Sequence, residues 1–205
     1  MNLDPSTTPP PRGRFESFRR FWSGSASARA MAATEFALIL PLALVVFTGS
    51  LVYGTASEIN RKVTLTARNV TDLVSQYSSL TSADMTTLIN SAAQVMAPFS
   101  TANVTLVITD LTVTNSGQAT VEWSVALSGS GLTTGATVPN VPANILAIPG
   151  VAGQATMHII WGHVAYQYTP SIGYQFTGPI TLYDDIYLSP RLSADVQYPA
   201  ATTAP

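Results

Sequence analysis

The chain has no cysteine and only two histidines, His158 and His163. The first absence removes disulfides, thiolate nucleophiles and zinc–thiolate sites, so any folded part is held by packing and hydrogen bonds. The second leaves little for metal binding, because two histidines five apart on a strand project from opposite faces and cannot share an ion. They read as partly buried polar residues, each needing a hydrogen-bond partner. Charge is also scarce: Asp, Glu, Lys and Arg make up 10% of the chain, against about 25% in an ordinary soluble domain. After Arg68 the only basic residue is Arg191, facing seven acids, which argues against a nucleic-acid partner. There is no G-x-S-x-G elbow, and Ser128-Gly129-Ser130-Gly131 lacks the lysine of a phosphate loop. Asp184 and Asp185 are adjacent, so on a strand they diverge. No catalytic constellation, metal site or cofactor is expected, and the chain reads as a non-enzyme.

What the chain does have is a long uncharged run. Residues 36–57 contain no Asp, Glu, Lys or Arg and are bounded by Glu35 on one side and Glu58, Arg61 and Lys62 on the other. At helical rise such a run spans about 33 Å, enough for a hydrocarbon core of about 30 Å. Arg12, Arg14, Arg19, Arg20 and Arg29 precede it, while Arg61, Lys62 and Arg68 follow. That bias predicts a cytoplasmic amino terminus and an exported carboxy-terminal domain. A secretory signal peptide is the competing reading, with Gly54-Thr55-Ala56 as a loose cleavage site, but the run exceeds the usual apolar region of about 7–15 residues. Glu35 stands at the cytoplasmic mouth of the span, where a carboxylate is usually paired or kept at the interface. Pro41 lies inside the span, where membrane helices tolerate proline.

The organisation that follows is a basic leader over residues 1–30, a membrane helix over 31–57 and an exported domain over 58–205. The leader is rich in Pro, Ser, Thr and Arg and is expected to be disordered; residues 14–22 read as juxtamembrane anchors, the alternative being a short basic amphipathic helix at the membrane surface. Beyond the span, Ile59, Val63, Ala67, Val70, Val74 and Tyr77 recur every three or four residues, predicting a helix over 58–78 continuous with the membrane segment. Ser82 as cap and an apolar face from Met85 to Met96 predict a second helix over 82–97, ended by Pro98. From Asn103 the period becomes two. Strands are expected at about 103–114, with a bulge or bend where the phase slips at Asp110, and at 119–127, with one buried and one wet face. Residues 128–142 form a Gly, Ser, Thr and Pro loop, either a contact loop or a mobile one, followed by a short turn at 142–146. Two strands apolar on both faces, at 156–169 and 180–189, belong in the centre of a sheet or beneath a helix. The fold class is α+β, a long amino-terminal transmembrane helix continuing into an amphipathic helix packed on an antiparallel sheet.

Two segments carry a resemblance. Residues 31–41, MAATEFALILP, together with the small and basic residues ahead of them, resemble the amino-terminal segment of TadE-like proteins, the pseudopilin components of tight-adherence type IV pilus systems. Residues 164–193, VAYQYTPSIGYQFTGPITLYDDIYLSPRLS, resemble the carboxy-terminal signature of many of the same proteins. The resemblance implies a pilin-like fold and a role in assembling, priming or forming a minor part of the pilus. It also implies cleavage by a prepilin peptidase between Ala30 and Met31, which makes Glu35 the fifth residue of the mature chain, followed by Phe36 and with Pro41 in the family's place. Alanine stands at position 30 where the family usually has glycine, and His163 stands where an acidic residue is usual. In that setting Glu35 would neutralise a freed amine of a neighbouring subunit. The implied partners are the peptidase, other pilins or pseudopilins, inner-membrane platform proteins and membrane lipid, with the exported domain in the periplasm or outside the cell. The alternative is an uncleaved single-pass anchor presenting a periplasmic interaction domain. Tyr166, Tyr168, Tyr174, Tyr183 and Tyr187 form either an adhesive surface or half-buried packing.

Overall fold

A computed structural model describes residues 16–139, 141–146 and 156–199. Its elements are α1 (Glu16–Ser75), α2 (Ser82–Val95), a 3-10 turn (Thr101–Asn103), β1 (Val104–Thr114), β2 (Ala119–Ala126), the one-turn α3 (Ala143–Leu146), β3 (Thr156–Tyr168), the one-turn α4 (Tyr174–Thr177) and β4 (Ile180–Leu188). The strands form one antiparallel sheet in the order β2-β1-β3-β4. The expected α+β architecture is therefore present, with a long apolar amino-terminal helix leading into a second helix and a four-stranded sheet. The chain divides into two units, Met1–Leu51 and Val52–Pro205, and α1 contributes residues to both.

In the second unit the helical stripe does what its spacing requires. Ile59, Val63, Ala67, Val70 and Val74 of α1 are at most 1% exposed and meet Met85, Leu88, Ile89 and Ala92 of α2 over one face of the sheet. Side chains spaced three and four apart share a helix face, so a single stripe can be buried along four turns. Tyr77, the last residue assigned to the stripe, lies beyond the helix and is 38% exposed. The sheet supplies Val104, Leu106, Ile108, Trp123, Ile160, Val164 and Tyr166 to the same core. Gly162 lets α1 approach β3: a Cβ there would stand 1.9 Å from Thr71 Oγ1.

Two local expectations are corrected. The leader is helical from Glu16, so the disordered segment expected over 1–30 does not extend through residues 16–30; residues 1–15 lie outside the described residues. The cap of α2 is Thr81, not Ser82. Thr81 accepts from the Asp84 backbone N–H, and the Asp84 carboxylate accepts from Thr81 N–H (3.0 Å) and Oγ1 (2.6 Å), a reciprocal capping box. These bonds lower the Asp84 pKa below its ordinary value. Of the two strands expected in the sheet centre or beneath a helix, β3 is central, and β4 is an edge strand whose Ile180, Leu182 and Ile186 pack on the helix-covered core while its Tyr183 is 62% exposed.

The phase slip at Asp110 has a different cause from a bend in β1. β1 pairs with β3 residue for residue from Val104↔Tyr166 to Thr114↔Thr156 without interruption. The irregularity is in β2, where Trp123 pairs with Asp110 and Val121 with Leu111, leaving Glu122 as the extra residue. The covered face changes along the strand. Leu106 and Ile108 point toward the helices, whereas Leu111 and Val113 join Ala119, Val121, Val141 and Ile159 in a second core on the opposite face. In consequence β2 buries residues on both faces rather than keeping one face wet.

The loop after β2 covers that second core. Val121 N–H donates to Ala136 O, Gly135 N–H to Val121 O and Val138 N–H to Ala119 O, so the loop lies along the outer edge of β2. Ser124 Oγ, itself 2.8 Å from Thr109 Oγ1, accepts from Leu132 N–H at 2.9 Å and pins the start of the loop. The chain after β4 forms a strap. Arg191 N–H donates to Ser75 O and its guanidinium pairs with Asp72, Leu80 and Gln197 link through the backbone, and Trp123 Nε1 donates to Val196 O at 2.7 Å.

Candidate functional site

The five residues singled out in the sequence, Ala30, Met31, Glu35, Phe36 and Pro41, all lie on α1 in the first unit, and all are exposed. Helical geometry sets Met31 and Glu35 one turn apart on one face. Thr34 Oγ1 donates to Met31 O at 2.8 Å, closing the same turn. Among the described residues no ion pair reaches Glu35. From Phe36 onward, Leu38, Ile39, Leu42, Val45, Val46 and Phe47 are each more than half exposed. This helix is long and apolar enough to cross a membrane, and none of its apolar window is buried within the chain. The backbone stays helical through Pro41. An apolar surface of this extent needs lipid or another apolar surface around it.

A second site lies in the second unit, on the sheet face that carries the loop. Antiparallel pairing puts Trp161 opposite Tyr187 and His163 opposite Asp185. Asp185 Oδ1 accepts from Trp161 Nε1 at 2.9 Å and contacts His163 Nδ1 at 2.8 Å. With a carboxylate as acceptor, the hydrogen is assigned to Nδ1 and a neutral ring keeps Nε2 as an acceptor. Trp161 and Tyr187 lie parallel, 5° apart with centroids at 6.0 Å, and Trp161 and Tyr183 flank the His163 ring at 6.0 and 6.1 Å. Val138 and Pro139 of the loop complete a pocket of 390 Å³ with Trp161, His163, Asp185 and Tyr187. Burial and the nearby Asp185 charge push the Tyr187 hydroxyl up to about 12, so it stays a neutral phenol.

On the helix-facing side a third polar feature is deeply set. Asp110 is fully buried, with Oδ2 3.1 Å from His158 Nδ1 and, among the described residues, no hydrogen-bond partner for Oδ1. Burial raises the Asp110 pKa, and the hydrogen bond to Asp110 raises that of His158. Each histidine thus has its own carboxylate on its own face. Among the described residues no group of three His, Cys, Asp or Glu side chains could hold a metal ion.

Sequence reading did not find the pocket. His163 and Asp185 were each considered, but 22 residues separate them, and only the β3–β4 register makes them neighbours. Of the five tyrosines grouped in the sequence, Tyr166 and Tyr168 are core residues at 5% and 8% exposure, whereas Tyr174 and Tyr183 are exposed at 46% and 62%. They do not form one surface. No protein-family profile, curated protein or solved structure matches the chain.

Proposed function

We propose that the chain is a pilin-like membrane protein, a pseudopilin acting in the assembly, priming or minor-subunit layer of a tight-adherence type IV pilus. The observation that carries this reading is Glu35, four residues after Met31, at the head of an exposed apolar helix whose later turns form the core of an α+β domain. The resemblance of residues 31–41 and 164–193 to TadE-like proteins supports it from both ends of the fold. The role is one of assembly rather than catalysis. A prepilin peptidase cuts between Ala30 and Met31, and the freed amine pairs with Glu35 of a neighbouring copy or of another pilin in a bundle where low dielectric strengthens the pair. The helix sits in the inner membrane with its amino terminus inside, and the domain is displayed on the other side, within reach of platform proteins and other pilins.

Ala30 favours a second reading, because the residue before the cut is usually glycine in the resembling family. In this reading the helix is an uncleaved single-pass anchor and the domain presents an interaction surface. The deciding experiment is the intact mass and amino-terminal sequence of membrane-extracted protein, with and without a co-expressed prepilin peptidase. A chain beginning at Met31 only when the peptidase is present supports the pilin-like role. An uncut chain supports the anchor, and a cut near Ser57 would show a secreted product, sinking both.

A further inference from the structure

We infer that the pocket between the loop after β2 and the β3–β4 pair is a binding site for an organic cation bearing N–H donors, an alkylammonium or guanidinium group. Its polar groups leave little choice of ligand charge. Among the described residues no Lys or Arg lines it, so an anion finds no lysine or arginine counter-charge there. Both bonds to the Asp185 carboxylate end on Oδ1, which leaves Oδ2 able to accept from a ligand. His163 Nε2 is a further acceptor in the neutral ring, and Thr137 and Tyr187 add hydroxyls at the wall. Aromatic rings stand beside the carboxylate, and ring faces attract cations through their quadrupole. Trp161 is held by its indole N–H on Asp185 and by its parallel partner Tyr187, so the platform is ordered before a ligand arrives. At 390 Å³ the pocket lies toward the small end of ligand sites, which run from about 300 to 1,000 Å³. That size suits one cationic head with a short chain rather than an oligomer.

The charge needed is local. Asp184 is the next residue on β4, accepts from Asp185 N–H at 2.9 Å and belongs to the other face of the sheet. It therefore serves as a control of equal formal charge that does not line the pocket. The inference does not depend on processing at Ala30, and its failure would leave the pilin-like reading untouched.

The test uses the full chain in detergent, titrated with butylammonium, butylguanidinium, tetramethylammonium and methyl glucoside while the Trp161 indole and His163 ring resonances are followed by NMR. Either butyl cation should shift both resonances saturably. Tetramethylammonium, which lacks donors, should bind several-fold more weakly, and the glucoside should not shift them. Asp185→Asn should weaken cation binding at least tenfold and Asp184→Asn should leave it unchanged, with thermal midpoints confirming that both variants are folded. Tyr187→Leu, which keeps the carboxylate and removes one ring, should weaken binding several-fold. The inference is overturned if neither butyl cation shifts the resonances, if the sugar binds as well as the cations, or if Asp184→Asn costs as much as Asp185→Asn.

Discussion

Thr71 Oγ1 occupies the space that a side chain on Gly162 would need. The hydroxyl is 1.9 Å from that Cβ position, Thr71 Cβ is 3.2 Å from it, and the hydroxyl is held in place by donating to Ala67 O at 2.7 Å. Gly162→Ala should therefore push α1 off β3 and cost at least about 1–3 kcal/mol, the range for overpacking a well-filled core. Gly162→Ala with Thr71→Ala removes the 1.9 Å contact and leaves the 3.2 Å one, so the pair should recover part of the loss. Chemical denaturation of the two single variants and the double checks this. Strict additivity would mean that the contact does not set the helix–sheet spacing.

The same crossing shows what a sequence does and does not display. The stripe from Ile59 to Val74 and the two-residue period of the strands declare which residues are buried, because burial repeats with the geometry of the element. They do not declare which layer covers which face. β1 presents Leu106 and Ile108 to the helices and Leu111 and Val113 to the loop, and in a one-dimensional pattern that exchange looks like a bend in the strand. Edge and centre are confounded for the same reason: β4 is apolar enough to be internal, yet it pairs only with β3. The pocket is a product of register, which places His163 across from Asp185 and Trp161 across from Tyr187. No local property of either strand carries that information. The apolar run, by contrast, is contiguous in the chain, and so was legible as a helix able to cross a membrane.

Lys62 was counted in the sequence among the positive charges that bear on membrane orientation, but it also has a structural role. Its Nζ lies 2.5 Å from Ala97 O and 3.3 Å from Val95 O, at the carboxy-terminal end of α2. Carbonyls there lack helical partners and carry the negative end of the helix dipole, so a cation supplies both hydrogen bonds and favourable charge. Lys62→Met keeps most of the aliphatic stem and removes the ammonium, and should cost about 1 kcal/mol. Hydrogen exchange provides the sharper readout, since protection should fall in the last turn of α2 and remain in β3. Uniform loss across the domain would point to core packing by the stem instead.

Asp110 and His158 should make stability fall as pH rises through the neutral range. Both folded pKa values are raised, Asp110 above 3.8 by burial and His158 above 6.5 chiefly by its hydrogen bond to Asp110. A group that holds its proton more tightly folded than unfolded stabilises fully below its unfolded pKa and loses that contribution as pH passes its folded value. The His158 share is therefore present below pH 6.5 and declines above it, while the Asp110 share starts to decline above 3.8. The two titrate as a pair, so the measured slope belongs to both. Denaturation free energies from pH 5 to 9 should fall in the wild type, and the decline above pH 6.5 should flatten in His158→Gln. An unchanged slope in that variant would place the titrating group elsewhere.

Glu35 lies outside the unit Val52–Pro205 that carries both cores, so its substitution should separate the proposed assembly role from folding. Glu35→Ala should leave the denaturation midpoint of the domain unchanged, as expected of an exposed side chain outside that unit. In the proposed role the charge would matter only once the amine of Met31 is freed and a second subunit brings one near. Two opposite charges 4 Å apart attract by about 4 kcal/mol at an effective dielectric of 20, enough to fix one register among several that differ little in apolar contact. Glu35→Ala and Glu35→Gln should therefore both be processed by the peptidase yet fail to enter pilin complexes, measured by cross-linking in membranes that contain the other pilus components. The glutamine variant is the discriminating one, because it keeps the shape and the hydrogen-bonding capacity of the side chain. Normal incorporation of Glu35→Gln would mean that shape rather than charge sets the register, and normal incorporation of both variants would remove Glu35 from assembly altogether.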